Sequence, residues 1–324
     1  MGTGFAKEDM LNKERAGACS RRNLMVPLAA AATGPKTWLL YAFATTMLWG
    51  LWGAFTPLSA ERGFPDTLVY CVWSLTMIAP ALYALARQDW QIDHDWRALA
   101  HGMIIGFLGA GGQMILFYAL TKGPAYLIFP VISLSPIVTI VMSFLLLGER
   151  TNMIGMAGIV LALVSLPLFD FSLEGLGEGR GLGWFLLSLI VMGCWGVQAF
   201  FMKLANRTMR AESIFFYMMV TGLMLAPVAW GMTDFSAPVN WGADGPYLAA
   251  AIQILNAIGA LTLVYAFRYG QAIVVSPLTN AGAPLMTAVI SLIVIGALPG
   301  RLKLVALALA SVAAVLLSLA PEEK

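Results

Sequence analysis

The feature that most limits how this chain can fold is an apolar run that is both long and interrupted by proline. From Tyr118 to Glu149 the sequence reads YALTKGPAYLIFPVISLSPIVTIVMSFLLLGE. One apolar segment closes at Tyr118-Ala119-Leu120, and the chain turns through Thr121-Lys122-Gly123-Pro124. A second segment of ~23 residues follows, long enough to cross a hydrocarbon core of roughly 30 Å. Pro130 and Pro136 interrupt it. Proline at membrane depth frees backbone carbonyls, which a bilayer tolerates only where they face protein or a wet cavity. The two prolines therefore predict helix breaks beside a pathway through the protein.

The stretch recurs as YAFRYGQAIVVSPLTNAGAPLMTAVISLIVIGA, from Tyr265 to Ala297. At a constant offset Tyr118 matches Tyr265, Ala119 matches Ala266, Gly123 matches Gly270, Ala125 matches Ala272 and Pro130 matches Pro277. Pro136 matches Pro284 after a slip of one residue. Earlier in each half, Trp49-Gly50 recurs as Trp195-Gly196 and Ala79-Pro80 as Ala226-Pro227. Matches in constant order point to an internal duplication. Pro277 and Pro284 are accordingly read as helix breaks too.

Of the 324 residues, 60% are hydrophobic and 11% charged, against about 25% charged in a soluble domain. The chain reads as a membrane protein lying in a lipid bilayer. No basic stripe with interleaved aromatics lies beyond the N-terminal tail, so no nucleic acid is expected. Cys19, Cys71 and Cys194 give neither a disulfide framework nor a zinc spacing. His94 and His101 are the only histidines, so no metal site and no cofactor is expected.

Ten spans are expected near 37–59, 67–86, 99–120, 125–147, 153–169, 184–204, 213–232, 247–266, 272–297 and 303–319. Residues 1–36 form a basic tail, 37–170 a first five-helix repeat, 171–183 a glycine-rich linker, 184–319 a second repeat and 320–324 a short tail. Whether 1–36 belong to the mature protein is left open. Short connections make consecutive spans antiparallel. With the N-terminus cytoplasmic, that side holds Lys7, Lys13, Arg15, Arg21, Arg22, Lys36, Arg87, Arg97, Arg150, Arg207, Arg210, Arg268 and Lys324. The other side holds Arg62, Lys122, Arg180, Arg301 and Lys303. The positive-inside bias places both termini in the cytoplasm. Five spans per half is odd, so the second copy enters the membrane from the opposite side. The fold class is an all-α membrane protein, ten transmembrane helices in a 5+5 inverted-topology repeat suited to alternating access.

The order of motifs is Trp49-Gly50, Tyr118-Ala119-Leu120 before a short turn, Ala125 followed by Pro130, Ser135-Pro136-Ile137, and Phe144-Leu145-Leu146-Leu147-Gly148-Glu149, with a degenerate copy behind it. This pattern resembles the drug/metabolite transporter superfamily, EamA type, over about residues 37–319. The resemblance implies a ten-helix bundle with a central cavity in the bacterial inner membrane, usually an exporter of amino acids or other small metabolites. Relatives also carry sugars, sugar phosphates or nucleotide sugars. The second copy departs from the pattern, since Gly296 is followed by Ala297 where a glutamate would stand.

The expected spans hold no Asp or Glu except at their ends, as Glu149 and Asp170. That argues against a relay of buried carboxylates and against an intramembrane hydrolase, which needs an acid–base pair. Glu149 either closes a cytoplasmic gate or accepts a proton, or is a terminal residue paired with Arg150 or a neighbouring loop cation. Lys203 either attracts an anion or balances a carboxylate, or snorkels to the headgroups. Polar residues deep in spans are candidate solute ligands: Gln113, Gln198, Gln253, Asn256, Ser276, Thr279 and Asn280. Gln253 and Asn256 share a helix face. Such residues bind solute or tie helices together. Trp49, Trp52, Tyr118, Trp195 and Tyr265 are candidates for a cavity wall. Gly106, Gly109, Gly111 and Gly112 suit close helix packing, and the line Ala306, Ala310, Ala314 is a candidate contact between helices.

These features predict a secondary carrier of small organic solutes, a small-molecule exporter with a proton or counter-solute as possible co-substrate. The alternatives are a sugar or nucleoside-type carrier of the same fold, or a non-transporting scaffold or accessory subunit. Sequence does not separate monomer from homodimer.

Overall fold

In lipid a backbone N–H or C=O has no water to bond, so an apolar run must satisfy its own groups as a helix. The computed structural model describes residues 37–122, 128, 131–170, 183–295 and 300–319, and among these it is helical throughout, without strands. Ten spans follow one another. They are α1 (Thr37–Glu61), α2 (Asp66–Ala86), α3 (Trp96–Lys122), α4 (Ser135–Leu147), α5 (Met153–Asp170), α6 (Gly183–Ala205), α7 (Ala211–Gly231), α8 (Ala243–Tyr269), α9 (Ala272–Ile295) and α10 (Arg301–Leu319). By length and composition α1, α2, α3, α6, α7, α8 and α10 each suffice to cross a membrane, while α4 and α5 are shorter apolar helices. Pro130, the tail 1–36, linker residues 171–182 and Ala297 lie outside the described residues.

The prolines act unequally. In the fourth span the chain turns at Ser133 and Leu134, where Leu134 N–H meets Val131 O at 3.2 Å and Ile137 N–H meets Leu134 O at 2.9 Å. Pro136 directly follows this break. It lies in the first turn of the helix that restarts at Ser135, where a missing N–H costs nothing. Pro277 and Pro284, expected as breaks, sit inside one unbroken helix, α9. Between them Thr279 Oγ1 donates to Val275 O at 2.9 Å and Asn280 Nδ2 to Ser276 O at 2.9 Å. These bonds go to the Val275 and Ser276 carbonyls and not to Ile273 O or Asn280 O, the carbonyls four residues before the two prolines.

The described residues from Trp38 onward form a single unit. Its core is rich in small side chains: Ala42, Ala162, Ala257, Ala266, Ala306 and Ala310 are fully buried. Large apolar residues face outward instead, among them Leu40, Phe43, Leu145, Ile293 and Val315. That inversion suits a lipid surround, where helices associate through small residues. On α10, Ala306, Ala310, Ala313 and Leu317 turn inward, and Gly158 of α5 packs on Leu317. Ala306 and Ala310 of the expected contact line are therefore buried within the chain, in which α10 packs on α5 and α9.

The repeats interlock across the sequence midpoint. Thr287 Oγ1 on α9 donates to Gly50 O on α1, and Thr139 Oγ1 on α4 donates to Gly196 O on α6, both at 3.0 Å. Gly50 abuts Met286, and Gly196 abuts Val138. Helix α1 thus packs on α9 as α6 packs on α4, which is the two-fold relation of a 5+5 repeat.

Candidate functional site

Two mirrored seams hold most of the expected site residues. On the first, α1 meets α8. Trp49 lies against Gly259, where a Cβ would come within 2.5 Å of the indole Cδ1, and Trp49 Nε1 donates to Asn256 O at 3.4 Å. One turn on, Trp52 Nε1 donates to Gln253 Oε1 at 3.1 Å. Thr45 and Thr262 share a hydroxyl contact of 2.8 Å on the same seam. On the second seam α6 meets α3. Trp195 lies against Gly112, and its Nε1 donates to Gly109 O at 3.3 Å. A Cβ at Gly109 would collide with the Gln198 amide. Gly102 and Gly106 receive Tyr217 and Thr221 of α7 in the same way. Glycine is needed at these points because an indole or phenol ring, a threonine side chain or an amide lies directly on the backbone. Gly111 faces open space.

The deep amides divide into two groups. Gln253 is buried and engaged by Trp52, and Asn280 bonds its own helix at Ser276 O. Ser276 is itself buried. Gln113 on α3, Gln198 on α6 and Asn256 on α8 are half-buried, and among the described residues their side-chain amides make no hydrogen bond. A buried amide left unbonded costs free energy, so an amide in this setting is satisfied by water or solute.

Glu149, Lys203 and Tyr265 gather at the end of the bundle where α1 begins. Glu149 lies just past α4, which closes on a wide π turn, Ser143–Leu147, and on Gly148 in the left-handed region at φ +69°. Its carboxylate is buried. Oε2 accepts the Ile273 N–H at 3.1 Å, at the start of α9, and Oε1 lies 4.0 Å from Lys203 Nζ. Its partner is therefore Lys203, not Arg150, whose guanidinium sits 4.7 Å over the Phe144 ring. Lys203 does not snorkel outward. It reaches inward to Phe267 O at 3.0 Å and Gly270 O at 2.5 Å. A carboxylate at the N-terminus of α9 and an ammonium at the C-terminus of α8 each oppose the local helix dipole.

A further buried carboxylate is not among the sequence candidates. Glu212, buried in the first turn of α7, accepts Tyr265 Oη at 2.5 Å. Tyr41 stacks on Tyr265 at 5.0 Å and on Tyr269 at 5.8 Å. Glu212 stands at an end of its span, where carboxylates were expected, but it fell outside the candidates because the apolar pattern starts at Ser213 while the helix starts at Ala211. The hydroxyl spacing of Tyr265 from Glu212 is not visible in sequence. Tyr118, the repeat partner of Tyr265, is not part of this cluster. It lies exposed, with Lys122 Nζ 5.1 Å over its ring. Among the described residues no group of His, Cys, Asp and Glu could hold a metal ion.

Comparison with known proteins follows the same outline. A solved crystal structure of a protein superposes with a TM-score of 0.73 at 19% identity, covering 87% of this chain and 97% of that one. At that identity the likeness is one of fold. Protein RarD of Streptomyces exfoliatus is 26% identical over 258 residues, 76% of this chain and 75% of RarD. The uncharacterised protein MJ1333.1 of Methanocaldococcus jannaschii is 26% identical over 136 residues, 42% of this chain and 98% of that protein. One archaeal chain of half length thus spans about what one repeat spans here. The model of the EamA-like transporter family matches twice, over residues 36–169 and 182–319. Two successive matches on a ten-helix, two-fold-related fold mean that the chain belongs to the EamA-like transporter family of the drug/metabolite transporter superfamily, and is a multi-pass membrane transporter rather than an enzyme.

Proposed function

We propose that the chain exports small neutral or zwitterionic metabolites, amino acids foremost, across the bacterial inner membrane by alternating access, with both termini in the cytoplasm. The observation that carries the solute class is the set of three half-buried amides, Gln113, Gln198 and Asn256, on three different helices and unbonded among the described residues. Amides offer both donor and acceptor, and they suit a solute that also presents both. Trp49 and Trp195 beside them add apolar faces. Lys203 and Glu149 are already engaged with one another and with backbone groups, which leaves them poorly suited to a multiply charged solute. Their place at the end of the bundle where α1 begins suits a cytoplasmic gate.

Reconstituted vesicles preloaded with amino acids, sugars and nucleosides test the reading, with retained solutes compared by mass spectrometry against protein-free vesicles. Selective loss of amino acids is expected. Loss of sugars or nucleosides alone would move the substrate class, and no loss from folded protein would favour a scaffold. Asn256→Leu and Gln198→Leu are expected to cut flux at least tenfold at unchanged membrane abundance, whereas Asn280→Leu, whose amide serves its own helix, leaves more of it.

A further inference from the structure

The end of the bundle near Lys203 contains a cradle of oxygen atoms with a cation in it, and that cation is a side chain. Lys203 Nζ takes Phe267 O and Gly270 O, both at the C-terminal end of α8. The Glu149 carboxylate stands on the third side, with Oε1 4.0 Å from the ammonium. That oxygen is buried and accepts no hydrogen bond among the described residues, while Oε2 is held by the Ile273 N–H. The Lys203 side chain is only 14% exposed. Helix C-terminal carbonyls joined by a carboxylate are the donor set by which membrane carriers hold small monovalent cations. The dipole at the end of α8 adds negative potential at the same point. In the first repeat the position of Lys203 is held by Pro57, so the duplicated half offers no ammonium there.

We propose that the corner between α8 and α9 is an alkali-cation site which Lys203 fills with its own ammonium. The carrier bears the cation of this corner covalently, and no dissolved metal ion is needed there. The inference goes beyond the transport reading and does not rest on it, because its test uses purified protein and no solute.

Lys203→Ala opens the cradle and leaves Glu149 unbalanced. Its unfolding temperature in N-methylglucamine buffer is expected to fall by roughly 3–8 °C relative to the parent chain. Sodium or potassium at high millimolar concentration is expected to restore most of that loss, by binding the folded state alone. Lys203→Met fills the space with an apolar chain and is expected to show no such response, and the parent chain likewise. Adding Glu149→Gln to Lys203→Ala should shrink the ion-dependent rise. A Lys203→Ala protein indifferent to sodium, potassium, rubidium and lithium overturns the proposal, as does an equal response from Lys203→Met. Failure of Lys203→Ala to fold in sodium and potassium buffers alike also counts against it, because a filled cradle restores the corner.

Discussion

Tyr265 carries one hydroxyl, and a buried carboxylate depends on it. Glu212 is 6% exposed and accepts that hydroxyl at 2.5 Å. Tyr265→Phe removes the donor and strands the carboxylate, so a loss of about 1–3 kcal/mol is expected in chemical denaturation. In a Glu212→Leu background the same change should cost a few tenths, which separates the bond from the stacking on Tyr41. The Glu149 pair behaves similarly but with two stranded partners. Glu149→Leu leaves both Lys203 and the Ile273 N–H without it, and about 3 kcal/mol of destabilisation is expected for breaking one side of a buried pair. Glu149→Gln keeps an oxygen for Ile273 and should cost clearly less. At this scale the sequence was only partly legible. Glu149 and Lys203 stood out as charges beside apolar runs, yet nothing in their neighbours says which way a long side chain turns. Arg150 adjoins Glu149 in sequence, but the two helix ends at α8 and α9 supply stronger local fields than a solvent-exposed arginine does.

Single elements obey the apolar pattern closely, and the exceptions have local causes. Nine of the ten expected spans appear within a few residues because lipid allows a run of apolar residues only one structure, while the fourth, expected from 125, is a continuous helix only from Ser135 among the described residues. Breaks were harder to place. Proline frees a carbonyl wherever it stands, but whether the helix stops depends on what lies around that carbonyl. Pro136 falls in the first turn of a helix that restarts after a break, whereas Pro277 and Pro284 lie inside one unbroken helix. The glycines of α3 make a sharper case, because neighbouring positions should respond with opposite sign. Gly112 faces the Trp195 indole, with a Cβ coming within 2.7 Å of Nε1, while Gly111 faces open space. Gly112→Ala is expected to lower the unfolding temperature, since a rigid ring on a packed seam cannot give way. Gly111→Ala is expected to be neutral or to stabilise by up to about 1 kcal/mol, the gain in helix propensity. Gly259→Ala, against Trp49 on the mirrored seam, should match Gly112→Ala. Equal melting of Gly111→Ala and Gly112→Ala would remove the packing argument for both seams.

Across the whole molecule, the sequence halves are not the bodies that the contacts define. Helix α1 is tied to α8 through Trp49 and Trp52 and to α9 through Thr287, while α6 is tied to α3 through Trp195 and to α4 through Thr139. Rocking of residues 37–170 against 184–319 would have to open both seams at once. Motion that keeps the seams requires mixed bodies, α1 with α8 and α9 and α6 with α3 and α4, related by the two-fold of the duplication. Helix α2 packs on both α8 and α7, and α7 on both α3 and α2; assigning α2 to the body of α8 and α7 to the body of α3 keeps the two-fold and puts the α2–α7 contact between bodies. Disulfides can distinguish the two schemes in a chain whose native Cys19, Cys71 and Cys194 are replaced. A Cβ built at Gly53 of α1 lies 3.7 Å from Thr287 Cβ of α9, and one built at Gly222 of α7 lies 3.6 Å from Ser74 Cβ of α2. Both separations suit a disulfide, whose Cβ atoms lie about 3.5–4.5 Å apart. The pair Gly53→Cys with Thr287→Cys joins helices of one mixed body, so its oxidised form is expected to keep most of its flux in vesicles. The pair Ser74→Cys with Gly222→Cys joins opposite bodies, so oxidation is expected to stop flux and reduction to restore it. If the sequence halves were the moving bodies, both disulfides would join opposite halves and both would stop flux. Arrest by the first pair would therefore return the motion to the halves, and free flux through the second would show that α2 and α7 move together.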